Sequence, residues 1–290
     1  MLLQRIITAV ILIPLIVLAI FKLPTDYFSL ISALVILLGA WEWVKLADIA
    51  TVFKRILFFA LIISLMAVAQ FWTQILELVS FTFDKPNIRD YAGALEWLMV
   101  PPVLFWLLAM ALIGKAPHQV LAMQIKPRNK MLIGVLVLTA AWLFLSRLRS
   151  LYDPSMTLYF FILIWAADIS AYFVGRKFGV TKLSPEISPG KTVAGMYGAL
   201  VSAIVCAVTL GLIFEFNIVF IMDFVLLSIF TVLISIYGDL FFSVAKRQCG
   251  VKDTGAIFPG HGGVLDRLDS LIAAVPFFYA GLHLIYRTIT

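Results

Sequence analysis

Apolar residues recur along this chain in nine long runs, at about 5–22, 27–47, 56–79, 95–113, 131–149, 157–175, 193–214, 218–243 and 267–287. Each run approaches the ~20 residues a helix needs to cross a bilayer. No other feature restricts the fold as strongly. Sixty-three per cent of the 290 residues are hydrophobic and the mean hydropathy is +1.06, whereas soluble domains sit near ~45–50% apolar. A soluble core cannot bury that excess without leaving large apolar patches in water. Inside a bilayer the backbone must pair within each segment, which selects helices, and the alternating ten-residue pattern of a membrane barrel is absent. The expected fold class is all-α: a polytopic integral membrane helical bundle of about nine transmembrane helices. Arg5 and the apolar run Ile6–Phe21 have the outline of a signal peptide, but no small-x-small cleavage site follows, so a retained first span is expected.

The connections are sorted by charge. Loops after the second, fourth, sixth and eighth runs hold 14 of the 22 Lys and Arg residues, among them Lys54, Arg55, Lys126, Arg128, Arg176, Lys177, Lys191, Lys246 and Arg247. With nine spans these four loops share one side, and the positive-inside rule assigns that side to the cytoplasm. The expected location is the cytoplasmic (inner) membrane, with the polar loops facing the cytoplasm. A net charge of +6 then reads as orientation and anionic-lipid contact rather than nucleic-acid binding. Cys206 and Cys249 make no disulfide framework. Residues 1–150, about five helices, are expected to form a scaffold with dimer contacts. Residues 151–290, about four helices, are expected to carry the site.

Polarity concentrates in Ser243–Asp269, SVAKRQCGVKDTGAIFPGHGGVLDRLD, with four cations, three carboxylates, a histidine and five glycines in 27 residues. Ionisable groups within or beside spans are costly and are functional candidates by default. Asp239 and Ser243 stand at i, i+4 and share a helix face. Asp266 and Asp269 stand at i, i+3 where the ninth span begins, beside Arg267. Hard oxygens at that spacing suit magnesium, which usually takes one or two carboxylates plus substrate phosphate oxygens. The run Pro259–Gly263 opens into a helix N-terminus, a place where backbone N–H groups bind anions. Asp168 lies about two turns inside the sixth span. The loop Gly175–Thr192 repeats the theme with Arg176, Ser188, Lys191 and Thr192. Its SPGKT lacks the upstream glycine and preceding strand of a nucleotide-binding P-loop. Glu42, between Trp41 and Trp43, reads as an interfacial anchor. A transporter or channel using Asp168 and Asp239 as ion ligands is the alternative reading of these acids.

The pattern S-x-x-K-R-x4-K-D-x-G-x2-F-P-x-H-G-G-V-x-D-R-L-D over Ser243–Asp269 resembles the signature of the phosphatidate cytidylyltransferases (CDP-diacylglycerol synthases). Gly238-Asp239-Leu240 is similar to that family's GDL, and D-x-x-A-Y-x-x-G-R-x-x-G from Asp168, followed by SPGKT, to its second conserved region. The resemblance implies transfer of the cytidylyl group of CTP to phosphatidate with release of pyrophosphate, dependence on magnesium, and a homodimer in the membrane lipid. It implies Asp239, Asp266 and Asp269 as metal ligands, and Asp239, Asp266, Lys246, Arg267 and Lys191 as catalytic residues. Asp168, Arg176, Ser188, Thr192, Ser243, Arg247, Lys252, Asp253, Gly260, His261, Gly262 and Gly263 would bind substrate. The chain departs from the family pattern at Phe242, where a Glu is common, and at Ala194, where Glu or Gln is common. If position 242 supports the metal, a weakened CTP-binding paralogue is the implied alternative.

Overall fold

A computed structural model describes residues 2–257 and 262–287. The helices are α1 (Leu2–Lys22), α2 (Thr25–Leu46), α3 (Val52–Gln70), α4 (Trp72–Phe83), α5 (Val100–Lys115), α6 (Pro117–Ala122), α7 (Pro127–Leu151), α8 (Pro154–Phe178), α9 (Val193–Ile213), α10 (Ile218–Gln248) and α11 (Leu265–Arg287). A 3-10 stretch, Pro86–Met99, runs into α5. Among the described residues eight segments are long and apolar enough to cross a membrane, and α1 adds a shorter apolar helix, Val10–Lys22. The chain is a polytopic helical membrane bundle.

Local chemistry sets many of the helix starts. Side-chain oxygens of Thr51, Asp153, Thr192 and Asn217 accept from the first-turn N–H groups of α3, α8, α9 and α10, which satisfies donors that have no partner within the helix. Pro127 and Pro154 occupy first-turn positions, where a missing N–H costs nothing. One expectation needs correction, and one loop carries structure of its own. The third apolar run is not one span: α3 stops at Gln70 and α4 restarts at Trp72 with Phe71 between them. The loop after α8 is not wholly irregular either. Residues Lys182–Ser184 (β1) and Ser188–Thr192 (β2) pair as a small antiparallel hairpin.

The core sits on α7, whose Val137, Leu138, Phe144 and Leu148 are inaccessible, and which packs on α2, α3 and α11. Trp43 and Trp142 each lie in this interface and donate from Nε1 to backbone carbonyls, of Lys130 at 3.0 Å and Ser29 at 2.8 Å. Outer faces of most spans stay apolar and accessible, as a lipid contact requires.

The four cation-rich loops meet at one end. Gln248 Nε2 donates to the carbonyls of Val120, Leu121 and Met123, Arg247 Nε to that of Ile187, and Cys249 Sγ to that of Leu46. At the opposite end Arg147 and Tyr279 hold the Glu96 carboxylate, and Arg149 caps α1 through the carbonyls of Ile20 and Leu23.

Candidate active site

Helix α10 presents Asp239, Ser243 and Lys246 along one face. The hairpin sends Lys191 into the bundle, where Nζ lies 2.7 Å from Asp239 Oδ2 and donates to the Ile236 carbonyl at 3.0 Å. Ser243 Oγ reaches Asp239 Oδ1 at 3.4 Å. From α11, Asp269 comes in beside Asp239, close enough for the two carboxyl groups to interact electrostatically. Asp269 is only 8% exposed. Asp168 of α8 is solvent-accessible and lies within electrostatic reach of Lys191, Asp239 and Arg267. The result is a cluster of alternating charges contributed by α8, α10 and α11, buried at Asp269 and exposed at Asp168 and Arg267.

Gly238 makes the Asp239–Asp269 approach possible. A Cβ at position 238 would lie 2.2 Å from Ala273 Cβ and 3.2 Å from the Asp269 carbonyl oxygen, so α10 and α11 touch backbone to backbone there. Asp239 is nine residues short of the end of α10, about 14 Å, and Asp269 four residues into α11, about 6 Å. Their proximity means that the α10–α11 loop descends about one and a half turns, about 8 Å, into the bundle before α11 begins.

That loop is built around two internal carboxylates. Asp266 Oδ1 accepts from Lys246 Nζ at 2.6 Å. Its Oδ2 accepts from the N–H groups of Thr254 (2.8 Å) and Gly263 (2.9 Å) and lies 3.0 Å from the Thr254 hydroxyl oxygen. Glu42, from α2, accepts from the Thr254 hydroxyl (2.7 Å) and from the N–H groups of Val264 (2.9 Å) and Leu265 (2.8 Å). Glu42 is therefore not an interfacial anchor. It is 4% exposed and neutralises the N-terminus of α11, where donors and helix dipole both favour an anion. In the described residues at the end of the glycine-rich run, the N–H groups of Gly263, Val264 and Leu265 donate to the chain's own carboxylates. Gly263 has no room for a side chain: a Cβ would lie 2.3 Å from Glu42 Oε2 and from Thr254 Oγ1. Gly262 has φ +82°, a conformation that favours glycine.

The remaining candidates are more dispersed. Thr192 is buried and spends its hydroxyl on the Gly195 N–H as the cap of α9. Ser188 begins β2, half-buried. Arg176 lies exposed on the last turn of α8, with Nη1 3.4 Å from the Tyr172 hydroxyl. Arg247, Lys252 and Asp253 are exposed around the loop. Gly260 and His261 lie outside the described residues. Phe242, where the family commonly has Glu, is 0% exposed and packs edge-on against Trp43 and Phe241 and beside Trp106. Its ring packs on α2 and α5 through Trp43 and Trp106.

Asp269 is buried beside the half-buried Asp239, and two neighbouring negative charges repel unless a cation offsets them; Lys191 supplies one at 2.7 Å from Asp239. Among the described residues no three His, Cys, Asp or Glu side chains converge as a metal cage. The donor set fits an ion that needs one or two carboxylates and fills its remaining positions with water and phosphate oxygens, as magnesium does. Asp239, paired with Lys191, and Asp269 are the carboxylates so placed, while Asp266 is held by Lys246 of α10 through Oδ1 and by loop N–H groups through Oδ2.

Sequence reasoning missed Glu42 as part of this region. The signal was an acid in an apolar span, discounted because the flanking tryptophans suggested an interface. Its partners lie more than 200 residues away.

A model of the cytidylyltransferase family matches residues 3–285. A phosphatidate cytidylyltransferase of Haemophilus influenzae is 37% identical over 297 aligned residues, covering 96% of this chain and 97% of that one. One from Pseudomonas aeruginosa is 36% identical, covering 97% and 96%. One from Bacillus subtilis is 40% identical over 157 residues, 51% of this chain and 57% of its own. With the family pattern running through nearly every helix of the bundle and through the acidic cluster, this chain belongs to the cytidylyltransferase family.

Proposed function

We propose that this protein transfers the cytidylyl group of CTP to phosphatidate, forming CDP-diacylglycerol and pyrophosphate, and that it needs magnesium to do so. The observation that carries the reading is the cluster in which Asp239 and Asp269 meet between Lys191 and Lys246, below the end of the bundle where the cationic loops gather. Membership of the cytidylyltransferase family and similarity over nearly the whole chain to phosphatidate cytidylyltransferases of two bacteria support it.

An oxygen of the phosphatidate phosphate attacks the α-phosphorus of CTP, a new P–O bond forms, and the bond to the β-phosphate oxygen breaks as pyrophosphate leaves. The attacking phosphate is already an anion near neutral pH, so no strong general base is required. Approach of two polyanions is the main obstacle, and preorganised cations lower it. Lys191, Lys246 and Arg267 supply positive charge, and Lys191 and Lys246 are themselves held by Asp239 and Asp266. Asp239 and Asp269 would hold magnesium, which when bound offsets phosphate charge and polarises the phosphoryl group. A site exposed toward α8 lets the lipid keep its tails in the bilayer while CTP enters from the loop end. We assign that end to the cytoplasm, from the positive-inside rule, and the protein to the inner membrane as a homodimer. The position of Phe242, turned into an aromatic core, favours an active enzyme over a weakened paralogue.

The test is one assay: purified protein, magnesium, labelled CTP and phosphatidate in mixed micelles, scored for CDP-diacylglycerol and pyrophosphate. Wild type forms both; Asp239→Asn and Asp269→Asn form neither while remaining monodisperse. No product from wild type across metals and lipid phosphates would overturn the reading. Full turnover by Asp269→Asn would remove that residue from the metal site.

A further inference from the structure

On the outer face of α2, behind Glu42, the bundle carries a second feature that the acidic cluster does not use. Two recesses adjoin there. One, of about 280 Å³, is lined by Trp41, Val44, Lys45, Asp48, Ile49, Ala50 and Arg55. The other, of about 530 Å³, shares Trp41 and Arg55 and continues along Val52, Ile56, Phe59, Ala60 and Ile63. The first mixes polar with apolar lining and sits at the α2–α3 turn, at the end of the bundle where the cationic loops meet. The second is apolar. Its α3 residues follow one another at helical spacing from 52 to 63, a strip about 16 Å long, flanked by the Trp41–Phe59 ring pair at 6.3 Å.

We propose that this composite groove binds an anionic glycerophospholipid of the surrounding membrane, with its phosphate over Lys45 and Arg55 and one acyl chain along the α3 strip. Charge complementarity selects the headgroup. Two cations line the first recess against one acid, Asp48, and among the described residues neither cation is in an ion pair. Arg55 is fixed by donating from Nε to the Ile49 carbonyl at 2.9 Å, so its charge is held in place rather than free to follow solvent. The C-terminal end of α2 opposes an anion, but the first turn of α3 borders the same groove through Val52 and favours one. The sequence of surfaces matches a phospholipid: charge at headgroup height, an aromatic side chain at the boundary, and aliphatic side chains below.

The experiment is tryptophan quenching by brominated lipid. Wild type and Trp41→Phe are reconstituted in zwitterionic bilayers doped at equal mole fraction with phospholipid brominated on its acyl chains, carrying either an anionic phosphoglycerol or a zwitterionic phosphocholine headgroup. The difference between the two proteins isolates Trp41. Each cation near the surface favours an anionic lipid about fivefold; with Asp48 partly opposing, the anionic form should occupy the groove on the order of tenfold more than the zwitterionic one. The double change Lys45→Gln, Arg55→Gln should bring that ratio near one, and Asp48→Asn should raise it. Equal quenching of the Trp41 component by both headgroups overturns the proposal. An unchanged ratio in the double variant also overturns it. So does a Trp41 shielded from both lipids together with efficient Trp41→Cys cross-linking, which would mean that a second copy covers the groove.

Discussion

Gly238→Ala adds one methyl group where two helices already touch. The new Cβ would stand 2.2 Å from Ala273 Cβ, against an ordinary carbon–carbon contact of about 3.5–4.0 Å. Both atoms are tied directly to helix backbones, so no rotamer relieves the clash. Helices α10 and α11 must separate locally by about 1.5 Å, an overpacking cost of about 1–3 kcal/mol. That is tolerable in a bundle of this size, and the protein should still fold. The same separation acts on Asp239 and Asp269, one residue and four residues from the clash. A misplacement of about 1 Å at a reacting centre can cost about a hundredfold in rate, so kcat for CDP-diacylglycerol formation should fall by about that factor, as measured with labelled CTP on monodisperse protein. The partner change Ala273→Gly removes the clashing atom, and the closest remaining neighbour is then the Asp269 carbonyl oxygen at 3.2 Å. The double variant should therefore recover most of the lost activity, although Ala273→Gly alone costs about 1 kcal/mol of helix propensity. Wild-type turnover by Gly238→Ala, or no recovery in the double variant, would refute the argument that close packing at Gly238 sets the carboxylate pair.

Three further outcomes are expected. Glu42→Gln puts an amide group against backbone donors at Val264 and Leu265; kcat should drop at least about tenfold, with Glu42→Asp retaining more activity than Gln, and equal turnover by Gln and wild type would count against the anchor. Phe242→Glu places a carboxylate among Trp43, Trp106 and Phe241, where an unpaired charge is costly; size-exclusion profiles should show loss of monodisperse protein, and a gain in activity would instead show that position 242 faces the metal. Asp153 caps α8, and the Ser155 hydroxyl and then its N–H hold the Asp153 carboxyl below the ordinary carboxylate value. Because that value is lowered on folding, the stabilisation is complete above the unfolded value of about 3.9 and is lost as pH falls through the folded value. Thermal unfolding of wild type and Asp153→Ala should therefore differ at neutral pH, by about 1 kcal/mol, and converge in strong acid.

The spans were legible because hydrophobic excess at this level has one physical outlet, and charge sorting correctly grouped the four loops that Gln248, Arg247 and Cys249 tie together. The acids of α10 and α11 were legible too, since i, i+3 and i, i+4 spacings follow from helix geometry alone. Which of them would meet was not. Asp239 faces Asp269, with Asp266 turned into the loop, because of the depth at which α11 starts, a tertiary property set by Gly238 and Ala273. The break at Phe71 escaped notice because apolar residues continue across it. The side to which Phe242 turns depends on where Trp43 and Trp106 pack, and neither is a sequence neighbour.

The Glu42 contact also orders assembly in time. Its acceptors are made with the second helix, yet the N–H groups of Val264 and Leu265 arrive only with the last. Through most of synthesis a carboxylate near the bilayer surface waits without its partners, and the nucleus of the loop cannot close. A nascent chain arrested before residue 264 should hold α2 and the four cation-rich loops loosely, with proteolysis in the α2–α3 turn that disappears once α11 is released. The same residue that steadies the finished loop thereby makes completion of the chain the event that assembles the site.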